Sequence, residues 1–233
     1  MRLSGCPILA AKTQELKLAI DGHGAVSAIL TRPDKPRACF ILAHGAGADM
    51  RHAFMEKVAA GLSDRGIAVL RFNFPYMEAG KGRPDQPPVA QATIRAAVAQ
   101  AALSCPGVAL VAGGKSFGGR MTSQAQAKAP LHGVRGLAFL GFPLHAASKP
   151  STERAAHLAA IDIPMLFLQG TRDALADLAL LRPVVAGLGP RATLHEIAGG
   201  DHSFAVLKKS GRNNDEALAE VLDALAAWID ALA

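Results

Sequence analysis

Aromatic side chains are scarce: nine Phe, one Trp and one Tyr in 233 residues. That supply does not furnish a base-stacking platform, and no nucleic-acid partner is expected. The three cysteines, Cys6, Cys39 and Cys105, are too few and too widely spaced for a disulfide framework or a zinc site. The chain therefore reads as reduced and cytoplasmic. No run of about 18 uncharged apolar residues is present although mean hydropathy is +0.22, so neither a transmembrane helix nor a membrane partner is expected. Leu3-Ser4-Gly5-Cys6 has the form of a lipoprotein cleavage box, but the absence of an apolar region before it argues against a signal peptide. No His/Cys/Asp/Glu spacing resembles a metal site and no Gly-rich nucleotide loop fits, so no metal or cofactor is expected.

What remains is a globular composition, 50% hydrophobic and 19% charged. It holds too much apolar surface for long disordered stretches. The length suits one domain over 1–233, with a core that needs no disulfide staples. Net charge is +6, but Lys and Arg are scattered, and the densest group, Lys208, Lys209 and Arg212, has Asp215 and Glu216 close behind it. That pattern describes a solvated surface better than an acidic-partner patch.

Short β-rich runs alternate with longer helical patterns. Strands are expected at Glu15–Ile20 and Ala25–Leu30, joined as a hairpin through Asp21-Gly22-His23-Gly24. Further strands are expected at 37–43, 67–72, 108–112, 135–140, 164–169 and 192–197, and helices at 52–65, 89–104, 117–128, 174–187 and near 152–160. Residues 75–88, rich in Gly and Pro, read as a loop. In the last helix Leu218, Val221, Leu222, Leu225, Trp228, Ile229 and Leu232 recur at three- and four-residue steps on one face, with Asp215 and Glu216 in its first turn. Such alternation implies an α/β fold: a mostly parallel sheet with helices on both faces and the hairpin as an antiparallel edge. Working groups in that architecture gather just past the carboxyl ends of the strands.

Three positions meet that test. Gly114-Lys115-Ser116-Phe117-Gly118 lies directly after one strand and before a helix, where a serine sits exposed on a sharp turn. A serine is a weak nucleophile at neutral pH and needs a base. The order demanded by this architecture is serine, acid, histidine. Asp173 follows the strand ending at Gln169, and His202 follows the last strand. His202 would take the proton of Ser116, and Asp173 would orient the imidazole, with Asp177 and Asp201 as rival acids. His44-Gly45-Ala46-Gly47 follows a buried strand, so the backbone N–H groups of Ala46 and Phe117 are candidates for an oxyanion hole. His44 itself is read as holding its loop.

These segments together resemble the α/β-hydrolase superfamily. The closest resemblance is to small, dienelactone-hydrolase-like members without a large cap. His44-Gly-Ala-Gly-Ala-Asp-Met and His202-Ser-Phe-Ala-Val, followed by a Lys/Arg-rich loop, resemble a branch that includes bacterial predicted hydrolases, a testis-expressed eukaryotic protein and a regulatory subunit of a histone acetyltransferase complex. The resemblance covers Ala38 to the C-terminus. Dienelactone hydrolases proper use a cysteine nucleophile where this chain has Ser116, so their substrate is not carried over. The interval Gly141–Ile163, where many relatives insert a lid, has room for one short helix only.

The expected activity is hydrolysis of a small ester or thioester through an acyl-enzyme, with a small-molecule acyl substrate as the partner. Tyr76, Phe142, Leu144 and His145 all lie just past strand ends and are the candidate substrate pocket. The competing readings are an interaction module that keeps the fold without useful catalysis, and an acyltransferase.

Overall fold

The computed structural model describes residues 11–232, so the Leu3–Cys6 stretch lies outside the described residues. Eight strands form one sheet: β1 (Lys12–Ile20), β2 (Gly24–Arg32), β3 (Ala38–Ala43), β4 (Ile67–Phe72), β5 (Ala109–Lys115), β6 (Val134–Leu140), β7 (Met165–Gly170) and β8 (Ala192–Ile197). Their order across the sheet is β1-β2-β4-β3-β5-β6-β7-β8. The hairpin β1–β2 is antiparallel, and β2 meets β4 antiparallel as well. From β4 to β8 every pairing is parallel.

Two layers of helix cover the sheet. The helices are α1 (Ala53–Asp64), α2 (Pro75–Glu78), α3 (Pro87–Ser104), α4 (Phe117–Lys128), α5 (Leu178–Gly187) and α6 (Asn214–Asp230). Because side chains alternate along a strand, each central strand feeds both layers. In β3, Cys39 and Ile41 pack with Ile94 and Ala97 of α3 and Met121 of α4. Phe40 and Leu42 of the same strand pack with Val58 and Leu62 of α1 and Val221 and Leu225 of α6. The apolar stripe expected on the last helix is the one that docks, and a capping box between Asn213 and Glu216 starts the helix.

Strands β1 and β2 are longer than expected, beginning at Lys12 and ending at Arg32, and other boundaries differ for local reasons. Strand β5 runs on to Lys115 because Gly113 and Gly114 let neighbouring backbone come close; a Cβ on Gly113 would lie 1.8 Å from the Ala138 carbonyl oxygen. Helix α5 begins at Leu178 rather than Ala174, because the Asp177 carboxylate caps it by accepting from the Ala179 N–H. The 75–88 segment contains the single turn α2, and α3 starts two residues early; each helix has a proline in its first turn, where the missing N–H costs nothing. Between β6 and β7 the chain forms one 3₁₀ segment, Glu153–Ala160, and no lid. Among the described residues, no helix is long and apolar enough to cross a membrane.

Candidate active site

Ser116 caps the start of α4 at φ 50°, ψ −114°, a strained setting for a side chain with a Cβ. The strain is held by crowding from the neighbouring strand. A Cβ on Gly114 would sit 2.2 Å from the Ala43 carbonyl oxygen, and one on Gly118 would sit 2.5 Å from it. Glycine at those positions is what allows the turn to close against β3.

The Ser116 hydroxyl meets His202 Nε2 at 2.8 Å, and His202 Nδ1 meets Asp173 Oδ2 at 2.7 Å. A carboxylate only accepts, so Nδ1 carries the ring proton and Nε2 is left to accept from the hydroxyl. The Asp173 side chain is fully buried and that of His202 is 25% exposed. Gln169 at the end of β7 donates to the same Asp173 Oδ2, and the Leu175 N–H donates to Oδ1 at 2.8 Å. The turn bearing Asp173 and the loop bearing His202 touch through backbone: a Cβ on Gly170 would lie 2.3 Å from the Gly200 carbonyl oxygen.

The rival acids are occupied elsewhere. Asp201 accepts from the N–H groups of Ser203 and Ala205 at 2.8 and 2.9 Å, shaping its own loop. Asp177 caps α5. His44 is fully buried, and burial pushes it below the ordinary imidazole range. Its Nε2 accepts from the Phe74 N–H at 3.1 Å, so Nδ1–H donates to the Gly45 carbonyl at 2.9 Å, tying the 44–47 loop to the end of β4.

A cavity of about 350 Å³ opens at Ser116. The Gly45–Ala48 backbone forms one wall, Phe54 and Met55 of α1 another, and Leu175, Ser203 and Lys115 the rest, with exposed His52 at the rim. Ala46 lines it, and Phe117 follows Ser116 as the first residue of α4. Among the described residues, neither the Ala46 nor the Phe117 backbone N–H has a protein acceptor.

Tyr76, Phe142, Leu144 and His145, expected to form the pocket, do not line this cavity. Tyr76 is buried, packs against Phe117 at 6.5 Å between ring centroids, and borders a separate groove of about 370 Å³ beside the hairpin turn. Phe142 is buried edge-on against Phe139 and Phe167, and Leu144 is buried in the same cluster. His145 is a strap: Nδ1 donates to the Ala146 carbonyl at 2.9 Å, and Nε2 accepts from the Asp177 N–H at 2.9 Å. Gln169, Phe54, Met55 and Leu175 are the residues that sequence reasoning missed. A glutamine ending an otherwise apolar buried strand was the one available signal.

Among the described residues, no group of three His, Cys, Asp or Glu side chains is placed to hold a metal ion. Residues 36–230 match the family model described as an alpha/beta hydrolase domain. Similar solved structures include a serine hydrolase without a lid from Xanthomonas campestris, 21% identical over 94% of this chain and 95% of that one, TM-score 0.72. A dienelactone hydrolase from Anabaena variabilis is 18% identical over 94% and 96%, TM-score 0.74. An alpha-beta serine hydrolase homologue from Coxiella burnetii is 20% identical over 90% and 95%, TM-score 0.72. At these identities the likeness is one of fold.

Proposed function

The chain belongs to the alpha/beta hydrolase family, and from that premise we propose that it is a serine hydrolase cleaving a small ester or thioester through an acyl-enzyme. The observation that carries this reading is the series Ser116–His202–Asp173, bonded at 2.8 and 2.7 Å at the mouth of a cavity. Ser116 Oγ attacks the acyl carbon while its proton passes to His202 Nε2. The N–H groups of Ala46 and Phe117 receive the oxyanion, each worth about 3 kcal/mol in comparable sites. His202 then protonates the leaving alcohol or thiol, and water repeats the sequence to release the acid. Asp173 keeps the imidazole oriented throughout.

Cavity size limits the substrate. About 350 Å³ with an apolar wall of Phe54, Met55 and Leu175 suits a short acyl chain. The same reading takes 1–233 as one domain in a reducing, cytoplasmic setting, with Cys39 and Cys105 as buried free thiols. The test is a fluorophosphonate probe and short p-nitrophenyl esters. Wild type reacts covalently and turns over; Ser116→Ala does neither, and His202→Ala loses turnover by about 10³-fold or more. Equal turnover in wild type and both variants overturns the reading.

A further inference from the structure

Nothing in the triad chemistry calls for a charge between Gly114 and Ser116, yet Lys115 stands there with only 9% of its surface exposed. It lines the cavity beside Ser116, and its Nζ donates to the backbone carbonyl of His202 at 2.5 Å. The same ammonium stands 5.9 Å from the ring centroid of Phe204, two residues beyond the base. Phe204 is held at φ 64°, so the loop it closes is strained and needs holding. Gly141, just after β6, completes the seat: a Cβ there would lie 3.0 Å from Nζ and 3.2 Å from the His202 carbonyl oxygen.

We propose that Lys115 is a positioning residue: its ammonium pins the His202 loop so that one imidazole meets Ser116 and Asp173 at the same time. This inference rests on the serine-hydrolase reading above. The His202 carbonyl is a neutral acceptor, and a charged donor binds it more strongly than a neutral one. The charged groups facing the ammonium are the carboxylates of Asp173, on the turn after β7, and Asp201, on the loop after β8. Both attract it, while burial opposes the charge more strongly and pushes the group down to about 8. Below that pH the clamp is charge-assisted. Above it Lys115 offers only a neutral amine, and the loop is held less firmly.

The experiment compares wild type, Lys115→Met and Lys115→Arg on p-nitrophenyl acetate from about pH 7 to about pH 10. Methionine fills the space without charge or donor; arginine keeps its charge across the whole range. Wild-type kcat should fall as pH rises through about 8. In Lys115→Met at neutral pH, kcat should drop about 10- to 100-fold while KM stays within about twofold. Lys115→Arg should recover most of the kcat and lose the alkaline decline. Equal kcat in Lys115→Met and wild type overturns the proposal, as does an alkaline limb that survives in Lys115→Arg.

A second measurement does not depend on turnover. The proton shared by His202 and Asp173 gives a deshielded NMR line, which should be sharp in wild type and broadened by solvent exchange in Lys115→Met. An unchanged line overturns the clamp even if wild type neither labels with fluorophosphonate nor hydrolyses any ester. That pair of negative results would remove the hydrolase reading separately.

Discussion

Helix α4 carries two serine–histidine contacts of nearly equal length. Ser116, at its start, meets His202 at 2.8 Å, and Ser123, two turns on, meets His157 at 2.7 Å. What separates them is the direction of the proton. Ser123 Oγ–H donates to the Arg120 carbonyl at 2.9 Å, and a hydroxyl has one proton to give. His157 Nε2 must therefore be the donor toward Ser123, the reverse of general-base geometry. No carboxylate stands behind His157 among its described contacts; burial, reinforced by the Arg120 charge, pushes the imidazole down to about 4. Ser123 is fully buried inside a regular helix, whereas Ser116 sits strained beside a cavity. Distance alone does not make a nucleophile; an acid, an open hydroxyl and a place for substrate do.

The comparison is broken most severely by removing the acid. Asp173→Asn should lower kcat by about 10³- to 10⁴-fold, because the amide can donate to Nδ1 and favour the wrong tautomer. Asp201→Asn and Asp177→Asn should each keep turnover within about tenfold of wild type. If Asp201→Asn proves the more damaging variant, steady-state kinetics will have moved the acid from one loop to the other.

Ser123→Ala gives a smaller effect of a different kind. It should leave fluorophosphonate labelling and kcat near wild type while costing about 1 kcal/mol of stability in denaturant titration, since it strands the His157 donor. Loss of labelling in this variant would make Ser123 part of the chemistry.

The smallest effect is a pH dependence of stability. His157 lies near 4 in the folded chain against an ordinary 6.5. The unfolded chain takes up this proton first as pH falls, so the contribution is complete above about pH 6.5 and fades toward about pH 4. For a group partly open to solvent this amounts to about 1 kcal/mol. His157→Gln should flatten that portion of the stability curve, measured by urea unfolding at several pH values.

The sheet and the three converging side chains were legible because both are set by local pattern. The existence and order of the strands along the chain, the Gly-rich turn at 114–119 and the position of Asp173 and His202 just past strand ends all follow from short stretches of sequence. The cavity was not legible, because its lining depends on which side of the sheet a loop returns to. Tyr76, Phe142 and Leu144 turned into the layer shared with α3, α4 and α5. The cavity opened instead toward the other layer, where Met55 of α1 packs with α6. One residue's difference in how a chain leaves its strand reverses that choice, and no spacing rule in a single sequence records it. Gln169 escaped notice for a related reason: its value lies in reaching Asp173 and the Phe142 N–H together, which only the folded turn reveals.

Helix α1 supplies Phe54 and Met55 to the cavity wall but none of the three reacting side chains. In the proposed serine-hydrolase reading, the reacting groups and the wall that would measure the acyl group are thus mounted on separate parts. Exchanging Phe54 for smaller or larger residues should retune chain-length preference with the reactive serine untouched, a natural route by which one scaffold diversifies its diet.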